Sequence, residues 1–140
     1  MKLKIDIYNI NNKFTIDRDR IKNLLNLVFM REQHDYGNVS IIFVGHDYIA
    51  DLNQKYLDKQ ETTDVLSFSL SEDTKAIDGE IYVDLDTVAI NAETYKVTFE
   101  QEALRMVVHG LLHLMGYDDG DDVSREMMTI KEDHYLGLVN

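Results

Sequence analysis

The sequence predicts an α+β fold, in which a mixed four-stranded sheet is packed by about five helices. The apolar patterns follow the order strand, helix, strand, helix, two strands, three helices. The first three elements fit a parallel crossover, and the two later strands are close enough in sequence to pair antiparallel. The 140 residues are enough for one core but hardly for two, so we expect a single domain over residues 1–140.

The first strand and the first helix are defined by their apolar spacing. Residues Lys2–Tyr8 alternate between apolar and polar side chains, which is the pattern of a strand with one buried face. From Ile16 to Val28, apolar residues recur at the spacing of an amphipathic helix, and Asp17 or Asp19 is suited to cap its start. A parallel strand after this helix would complete the crossover.

The next segments alternate quickly between strand and helix. We expect the turn pair Gly37–Asn38 to separate the first helix from a strand over Val39–Val44, whose continuous apolar run suits burial on both faces. A short helix then begins at Asp47. Two alternating runs, Asp64–Leu70 and Glu80–Asp84, predict strands that pair with each other.

Three helices are predicted in the last third of the chain. The middle one has the clearest boundaries, because Thr98 and Gln101 form a capping box and Gly116 follows a long apolar stretch. The other two cover about Thr87–Tyr95 and Val123–Leu136. The residues expected to join the core from the last helix and its end are Met127, Met128, Ile130 and Leu138.

Charge limits the partners of this chain. It has 14 Lys and Arg against 26 Asp and Glu, so its formal net charge is −12. Non-specific binding to a polyanion depends on Lys and Arg that neutralise phosphates, so the chain is a poor candidate for coating DNA or an anionic membrane. A catalytic encounter with RNA needs only a local basic patch or a metal cation, so RNA stays open as a partner.

Three features that the sequence lacks, namely a membrane-spanning run, a signal peptide and Cys, indicate where the protein is located and how it could bind a metal. No apolar run is long enough to cross a bilayer, and the first residues lack the apolar core of a signal peptide. We therefore expect a cytoplasmic protein. The chain also contains no Cys, so any metal must be bound by His and carboxylate side chains.

The segment with the most chemical information runs from His109 to Asp119. His109 and His113 are four residues apart in a predicted helix, so their side chains lie about 40° apart around its axis and can converge on one ion, as in zincin-like metal helices. Gly116 then allows the chain to turn back and bring Asp118 or Asp119 to the ion. Two His and one carboxylate leave a coordination position for water, as a catalytic site requires.

Two other interpretations compete with a catalytic metal site. A pair of His at this spacing also arises by coincidence on a helix surface or in its packing. Here both imidazoles stand among Leu and Met residues, and a partly buried imidazole needs a polar partner, which favours the metal. A peptidase is disfavoured, because the H-E-x-x-H motif has its general base where this chain has Gly110. The general base would then be a metal-bound water or a residue elsewhere in the chain. Glu102 is nearly two helical turns upstream of His109, and this distance disfavours it as the base.

The same segment resembles the signature of the YbeY family of endoribonucleases, the ribosomal RNA maturation factors, which reads H-G-x-L-H-L-x-G-Y-D-H. Eight of the nine specified positions match, and the ninth, usually a third His, is Asp119 here. Earlier segments are similar to the family's L-N-x-x-Y-R, P-T-D-V-L-S-F and G-D-I stretches, so that matching pieces run in order from about Leu52 to Asp119. The matching residues are His109, Gly110, Leu112, His113, Leu114, Gly116, Tyr117 and Asp118, then Leu52, Asn53, Tyr56, Thr63–Phe68, Gly79, Ile81, Ala89 and Ala92.

The resemblance implies a single-strand-specific, metal-dependent endoribonuclease that acts in ribosomal RNA processing and ribosome maturation. It implies one divalent ion, zinc by preference, bound by His109, His113 and Asp119. The carboxylate keeps the site competent for zinc and also suits iron or manganese. Single-stranded or ribosomal RNA would be the substrate, with ribosomal proteins as further partners and neither DNA nor a membrane among them.

Two departures from the family pattern affect substrate binding. The family's usual Arg after Tyr is Leu57 in this chain, and its usual Pro is Thr62. That Arg is implied to contact RNA phosphate. Lys55 and Lys59 lie close in sequence and are expected to replace it as point charges, without the bidentate geometry of Arg.

Several alternatives stay open. The chain could be a non-catalytic ribosome-assembly or RNA-associated protein, whose structural metal site Asp122 or His134 would close, or another metal hydrolase. Asp64 is a candidate catalytic residue near the cleft and equally a turn former at the start of a strand. For Ser67 we favour a packed hydroxyl, and for Tyr117 a packing residue that fixes the turn.

Overall fold

The structure, a computed structural model, describes residues 2–11, 13–57, 65–71 and 76–139. Over these residues the strands and helices follow the predicted order, so the α+β class with a mixed four-stranded sheet and five helices is confirmed. The elements are β1 (Lys2–Asn9), α1 (Arg18–Arg31), β2 (Tyr36–Val44), α2 (His46–Leu57), β3 (Val65–Ser69), β4 (Ile77–Asp84), α3 (Leu85–Tyr95), α4 (Phe99–Leu114) and α5 (Asp122–Gly137).

The sheet has the strand order β1-β2-β4-β3. Strands β1, β2 and β4 are parallel, and Ile41 of β2 lies opposite Ile7 of β1 and Ile81 of β4. β3 runs antiparallel to β4. The predicted parallel crossover and the predicted antiparallel pair are therefore both confirmed.

The predicted turn at Gly37–Asn38 is wrong. After α1 ends, the chain reverses at Gln33, whose φ of 65° lies in the left-handed region. β2 begins at Tyr36, and Gly37 pairs with Leu3 of β1. A Gly-Asn pair favours a turn by its composition, but the end of α1 has already turned the chain, so both residues extend the strand.

The core lies on both faces of the sheet, as expected for a mostly parallel sheet. On one face, fully buried side chains of β2 and β4 pack under α1 and α4, for example Phe43 and Ile81. On the other face, Ile49 of α2 packs in a smaller cluster with Val44 and Leu66 of the sheet. Since α4 is held against the first face, its outer side is left to form a site.

The start of α4 is set by the predicted capping box. The Thr98 side chain accepts from the Gln101 backbone N–H, and the Gln101 side chain accepts in return from the Thr98 N–H. These two bonds satisfy donors that the first turn of a helix leaves without partners. The helix then runs without a break to Leu114.

Gly110 is the point where α4 comes closest to the sheet. A Cβ at this position would lie 2.5 Å from the Ile81 Cγ2 atom, and the Ser67 hydroxyl donates to the Gly110 carbonyl at 3.1 Å. Position 110 thus faces the sheet, so a carboxylate there, as in H-E-x-x-H peptidases, could not be accommodated without moving α4. Ser67 is the packed hydroxyl that the sequence favoured.

Replacing Gly110 by Ala should destabilise the protein by about 1–3 kcal/mol, because the new methyl group overpacks the α4–β4 contact. The free energy of unfolding in urea measures this loss. Gly137→Ala is the matched control, since apart from its chain neighbours and the nearby backbone of its own helix no atom lies within 4 Å of the Cβ it would add. A Gly110→Ala protein as stable as the parent would contradict the close approach of α4 to the sheet.

The predicted core contacts of the last helix are correct only in part. Met128 is buried together with Glu132 and Tyr135, but Met127 and Ile130 are about half exposed, and Leu138 is also exposed beyond the helix end. The buried face of α5 contains positions 128, 132 and 135, so Met127 and Ile130 lie on the other, exposed side of the helix. No helix in the described part of the chain is long and apolar enough to cross a membrane.

Candidate metal centre

Three side chains converge beside the end of α4. His109 and His113 occupy successive turns of the helix, and their Nε2 atoms are 3.1 Å apart. The Asp119 Oδ2 atom lies 3.4 Å from each of these nitrogens. Within the described residues, this is the one group of three or more His, Cys, Asp or Glu side chains that could hold a metal ion.

The triangle of donor atoms fits a tetrahedral divalent ion. Zn–N and Zn–O bonds of about 2.0–2.1 Å at tetrahedral angles place two ligand atoms about 3.3 Å apart. The observed separations of 3.1, 3.4 and 3.4 Å match this spacing. Three protein donors leave the fourth position open. Two imidazoles and one carboxylate suit zinc and also accept iron or manganese.

The loop after α4 explains why Asp119, and not Asp118, reaches the two His side chains. Gly116 has a φ of 102° and reverses the chain, and the Tyr117 backbone N–H donates to the Leu112 carbonyl at 3.1 Å. The Asp118 carboxylate then accepts from the Asp119 N–H at 2.7 Å and from the Gly120 N–H at 3.1 Å. Because Asp118 closes this turn on its own backbone, Asp119 is the carboxylate that faces the helix.

Glu132 on α5 orients the first His. Its Oε2 atom is 2.7 Å from the His109 Nδ1 atom, and its side chain is only 7% exposed. A carboxylate at this nitrogen assigns the proton to Nδ1, so the lone pair of Nε2 points to the triangle. Glu132 is not among the site residues predicted from the sequence. The sequence does contain a signal for it, because Glu132 lies on the same helical face as the apolar residues Met128 and Tyr135, where a charged side chain needs a partner.

Arg105 supports Glu132 from α4. Its Nη1 atom is 3.0 Å from Glu132 Oε1, and its Nη2 atom is 2.6 Å from Asp133 Oδ1. Burial would lower the pKa of Arg105, but the bonds to Asp133 and Glu132 outweigh burial and raise that pKa, so the cation is held in place. The carboxylate that bonds His109, that of Glu132, is therefore itself paired with Arg105.

A second polar cluster lies behind the metal loop. The Glu32 carboxylate at the end of α1 accepts from the Tyr117 hydroxyl at 2.5 Å, from the Tyr135 hydroxyl, and from the Lys131 ammonium at 2.9 Å. Burial would raise the pKa of Glu32, but these three donors hold it below its usual 4.5. Burial, together with the hydrogen bond to the Glu32 anion, raises the pKa of Tyr117.

A cleft of about 720 Å³ between α3, α4 and α5 reaches His109 and Asp119. The basic side chains that line it are Arg105 and Arg125. Arg125 pairs with Asp122, which is the first residue of α5 and is almost fully exposed. Both cations are therefore matched by carboxylates, and the walls carry little excess positive charge.

The remaining predicted site residues are Lys55, Lys59, Asp64, Asp122 and His134. Lys55 is exposed in the last turn of α2 and does not line this cleft. Lys59 and Asp64 lie outside the described residues, so their predicted roles stay predictions. His134 is exposed on α5 and is absent from the metal-capable group, as is Asp122.

Comparisons with known proteins agree with the sequence motifs. A family profile described as Endoribonuclease YbeY matches residues 6–140. A relative of that name from Salinibacter ruber is 42% identical over 132 residues, covering 89% of this chain and 84% of the relative. Another of that name, from Chlorobaculum tepidum, is 37% identical and covers 96% of both chains.

A solved structure also resembles this one. The solution structure of TM1509 from Thermotoga maritima matches with a TM-score of 0.70 and 35% identity. The match covers 96% of this chain and 88% of that chain. The arrangement of sheet and helices described above is therefore found in a solved structure as well.

Proposed function

This chain belongs to the YbeY endoribonuclease family, and from that premise we propose that it cleaves single-stranded RNA with one divalent ion, zinc, bound by His109, His113 and Asp119. The observation that carries the proposal is the triangle of donor atoms with separations of 3.1, 3.4 and 3.4 Å. Its spacing suits one small ion and leaves a position open.

Each residue of the site has a separate task in this proposal. His109 and His113 supply neutral ligands from a rigid helix, and Asp119 supplies the anionic one from the loop. A bound divalent ion would supply Lewis acidity, which acidifies water at the open position and neutralises charge on the scissile phosphate. Glu132 keeps the His109 proton on Nδ1, so that Nε2 is free to bind.

Charge explains why the ion matters for substrate binding as well as for chemistry. The whole chain carries a net charge of −12, which repels RNA, and the Arg side chains of the cleft are already paired. Two neutral imidazoles and one carboxylate leave a divalent ion with one net positive charge. The centre would therefore attract a phosphate group. Lys55 and Lys59 are proposed as additional contacts for the RNA backbone.

The ribosomal part of the proposal rests on family membership. We propose that the substrate is ribosomal RNA during maturation, with ribosomal proteins as neighbours of the bound enzyme. Precursor ribosomal RNA and an unrelated RNA of equal length, both kept single-stranded, form the comparison. Faster cleavage of the precursor supports a ribosomal role, and equal rates would argue against it.

A closed structural metal site is the less favoured function. It would need a fourth protein ligand, and among the described residues the group contains three. Asp122 pairs with Arg125, and His134 lies on the exposed side of α5. The open position favours catalysis over a purely structural ion.

Removal of the metal tests the proposed function. Protein stripped by a chelator should lose cleavage of an unstructured RNA, and added Zn²⁺ should restore it, because the ion provides the charge that stabilises the reacting phosphate. Duplex RNA and casein are the comparison substrates, and neither should be cut at a similar rate. Full RNA cleavage by metal-free protein would overturn the proposal, and elemental analysis of the purified protein identifies the ion.

A further inference from the structure

The Glu32 cluster, made of Glu32, Tyr117, Lys131 and Tyr135, joins three separate parts of the fold. Glu32 stands at the end of α1 with a side chain only 9% exposed. Lys131 and Tyr135 come from α5, and Tyr117 comes from the loop between α4 and α5. One carboxylate therefore ties that loop to two helices that lie outside the metal triangle.

Glu32 is not where α1 by itself would favour a carboxylate. The C-terminal end of a helix carries partial negative charge, so a Glu there is electrostatically unfavourable. Burial adds to this cost. Three donors from other segments, Tyr117, Lys131 and Tyr135, offset both costs. The side chain of Glu32 therefore stabilises contacts between segments and does not cap its own helix.

The cluster connects directly to the third metal ligand. Tyr117 precedes Asp119 by two residues, and the turn closed by Asp118 makes the intervening backbone stiff. On the other side of Tyr117, Gly116 is the residue whose conformation is least restricted. The loop thus leaves the helix through a permissive glycine. Its next anchors are both at Tyr117, whose backbone N–H donates to the Leu112 carbonyl and whose hydroxyl donates to Glu32.

Lys131 strengthens this anchor. Its ammonium lies 2.9 Å from the Glu32 Oε2 atom and 5.3 Å from the centre of the Tyr117 ring. The ion pair fixes the carboxylate, and the cation–π contact holds the ring that donates to it. Tyr135 donates to the same carboxylate but belongs to α5, away from the loop.

We propose that Glu32 is a positioning residue of the metal centre, which acts through Tyr117 to hold the loop that presents Asp119 to the two His side chains. This inference rests on the proposed function, since it assumes that the triangle binds an ion. Its consequence is specific: loss of the Glu32–Tyr117 bond should weaken metal binding, whereas loss of the Glu32–Tyr135 bond should not.

The two tyrosines provide a matched test. Tyr117→Phe and Tyr135→Phe each remove one hydroxyl that donates to Glu32. We expect the affinity for Zn²⁺, measured by competition with a chromophoric chelator, to fall about tenfold in Tyr117→Phe, the size typical of lost supporting contacts to metal ligands. Tyr135→Phe should bind Zn²⁺ as the parent does. The absorption of bound Co²⁺ should change only in Tyr117→Phe, because it reports the ligand arrangement.

A second variant keeps the inference testable if Tyr117→Phe folds poorly. Glu32→Gln preserves the shape of the side chain but removes its charge, and it should lower Zn²⁺ affinity in the same direction. A double variant combines Tyr117→Phe with Glu32→Gln. If Glu32 acts through Tyr117, this double variant should lose no more Zn²⁺ affinity than whichever of the two single variants binds Zn²⁺ more weakly. Additive losses would mean that the two residues act independently, which overturns the inference.

The outcomes separate this inference from the proposed function. A parent protein that binds no metal would sink the proposed function itself. A parent that binds Zn²⁺ while Tyr117→Phe and Glu32→Gln bind it equally well would overturn only the positioning role. Equal losses in Tyr117→Phe and Tyr135→Phe would also overturn it, because they would indicate a general loss of packing.

Discussion

Replacement of His113 by Ala should abolish metal binding and RNA cleavage together. The substitution leaves two donors of the triangle and opens a second coordination position. The charge stabilisation that a metal ion supplies is worth several kcal/mol, so the cleavage rate should fall by about 10³-fold or more. Zn²⁺ binding and cleavage of an unstructured RNA, measured on the same preparation, check this expectation.

The fold should survive this substitution. His113 lies in the last turn of α4 with a partly exposed side chain, and such positions contribute little to the core. His134→Ala is the matched control, since it removes an exposed His of α5 that lies outside the metal-capable group. If His113→Ala protein cut RNA as fast as the parent, the activity would belong to another site or to a contaminant.

Replacement of Glu132 by Gln should lower Zn²⁺ affinity by about 10–100-fold, although Glu132 would not touch the ion. The amide is neutral, so it polarises the His109 ring less than a carboxylate. In the parent protein, the two carboxylate oxygens of Glu132 accept from Arg105 and His109, one each. An amide has only one accepting oxygen, so Gln at this position can serve only one of these two donors. Competition with a chelator measures the change in affinity, and cleavage at saturating Zn²⁺ separates poor binding from a slower reaction.

Asp133→Asn is the control for Glu132→Gln. Asp133 is the next residue and also pairs with Arg105, but the carboxylate at the His109 Nδ1 atom is that of Glu132. The variant should therefore bind Zn²⁺ like the parent. Equal affinities for the parent and Glu132→Gln would show that the 2.7 Å contact with His109 does not support metal binding.

Local patterns account for the parts of this protein that could be predicted. The alternation in Lys2–Tyr8, the capping box at Thr98 and Gln101, and the spacing of His109 and His113 each depend on residues close in sequence. Helix and strand geometry convert such spacings directly into shared faces. The order of the elements then left few topologies for a mixed sheet.

The errors share one cause, which is that a neighbouring segment outweighed a local signal. Gly37–Asn38 has the composition of a turn, yet it pairs with β1 because the chain reverses earlier. Met127 and Ile130 have core-like side chains, yet α4 covers a different face of α5. Apolar character alone does not say which face of a helix another helix will cover.

The sequence by itself therefore determined the α+β class, the helix that carries His109 and His113, and the family, because these depend on short-range spacing and on motif residues in order. The family pattern already implied Asp119 as the third ligand. Only the tertiary structure decided that Asp118 instead closes the turn, that Glu132 orients His109, and that Glu32 anchors the loop. Glu32 is 85 residues from Tyr117 in sequence, and Glu132 is 23 residues from His109. Contacts of this kind exist only once separate helices pack, so no local pattern encodes them.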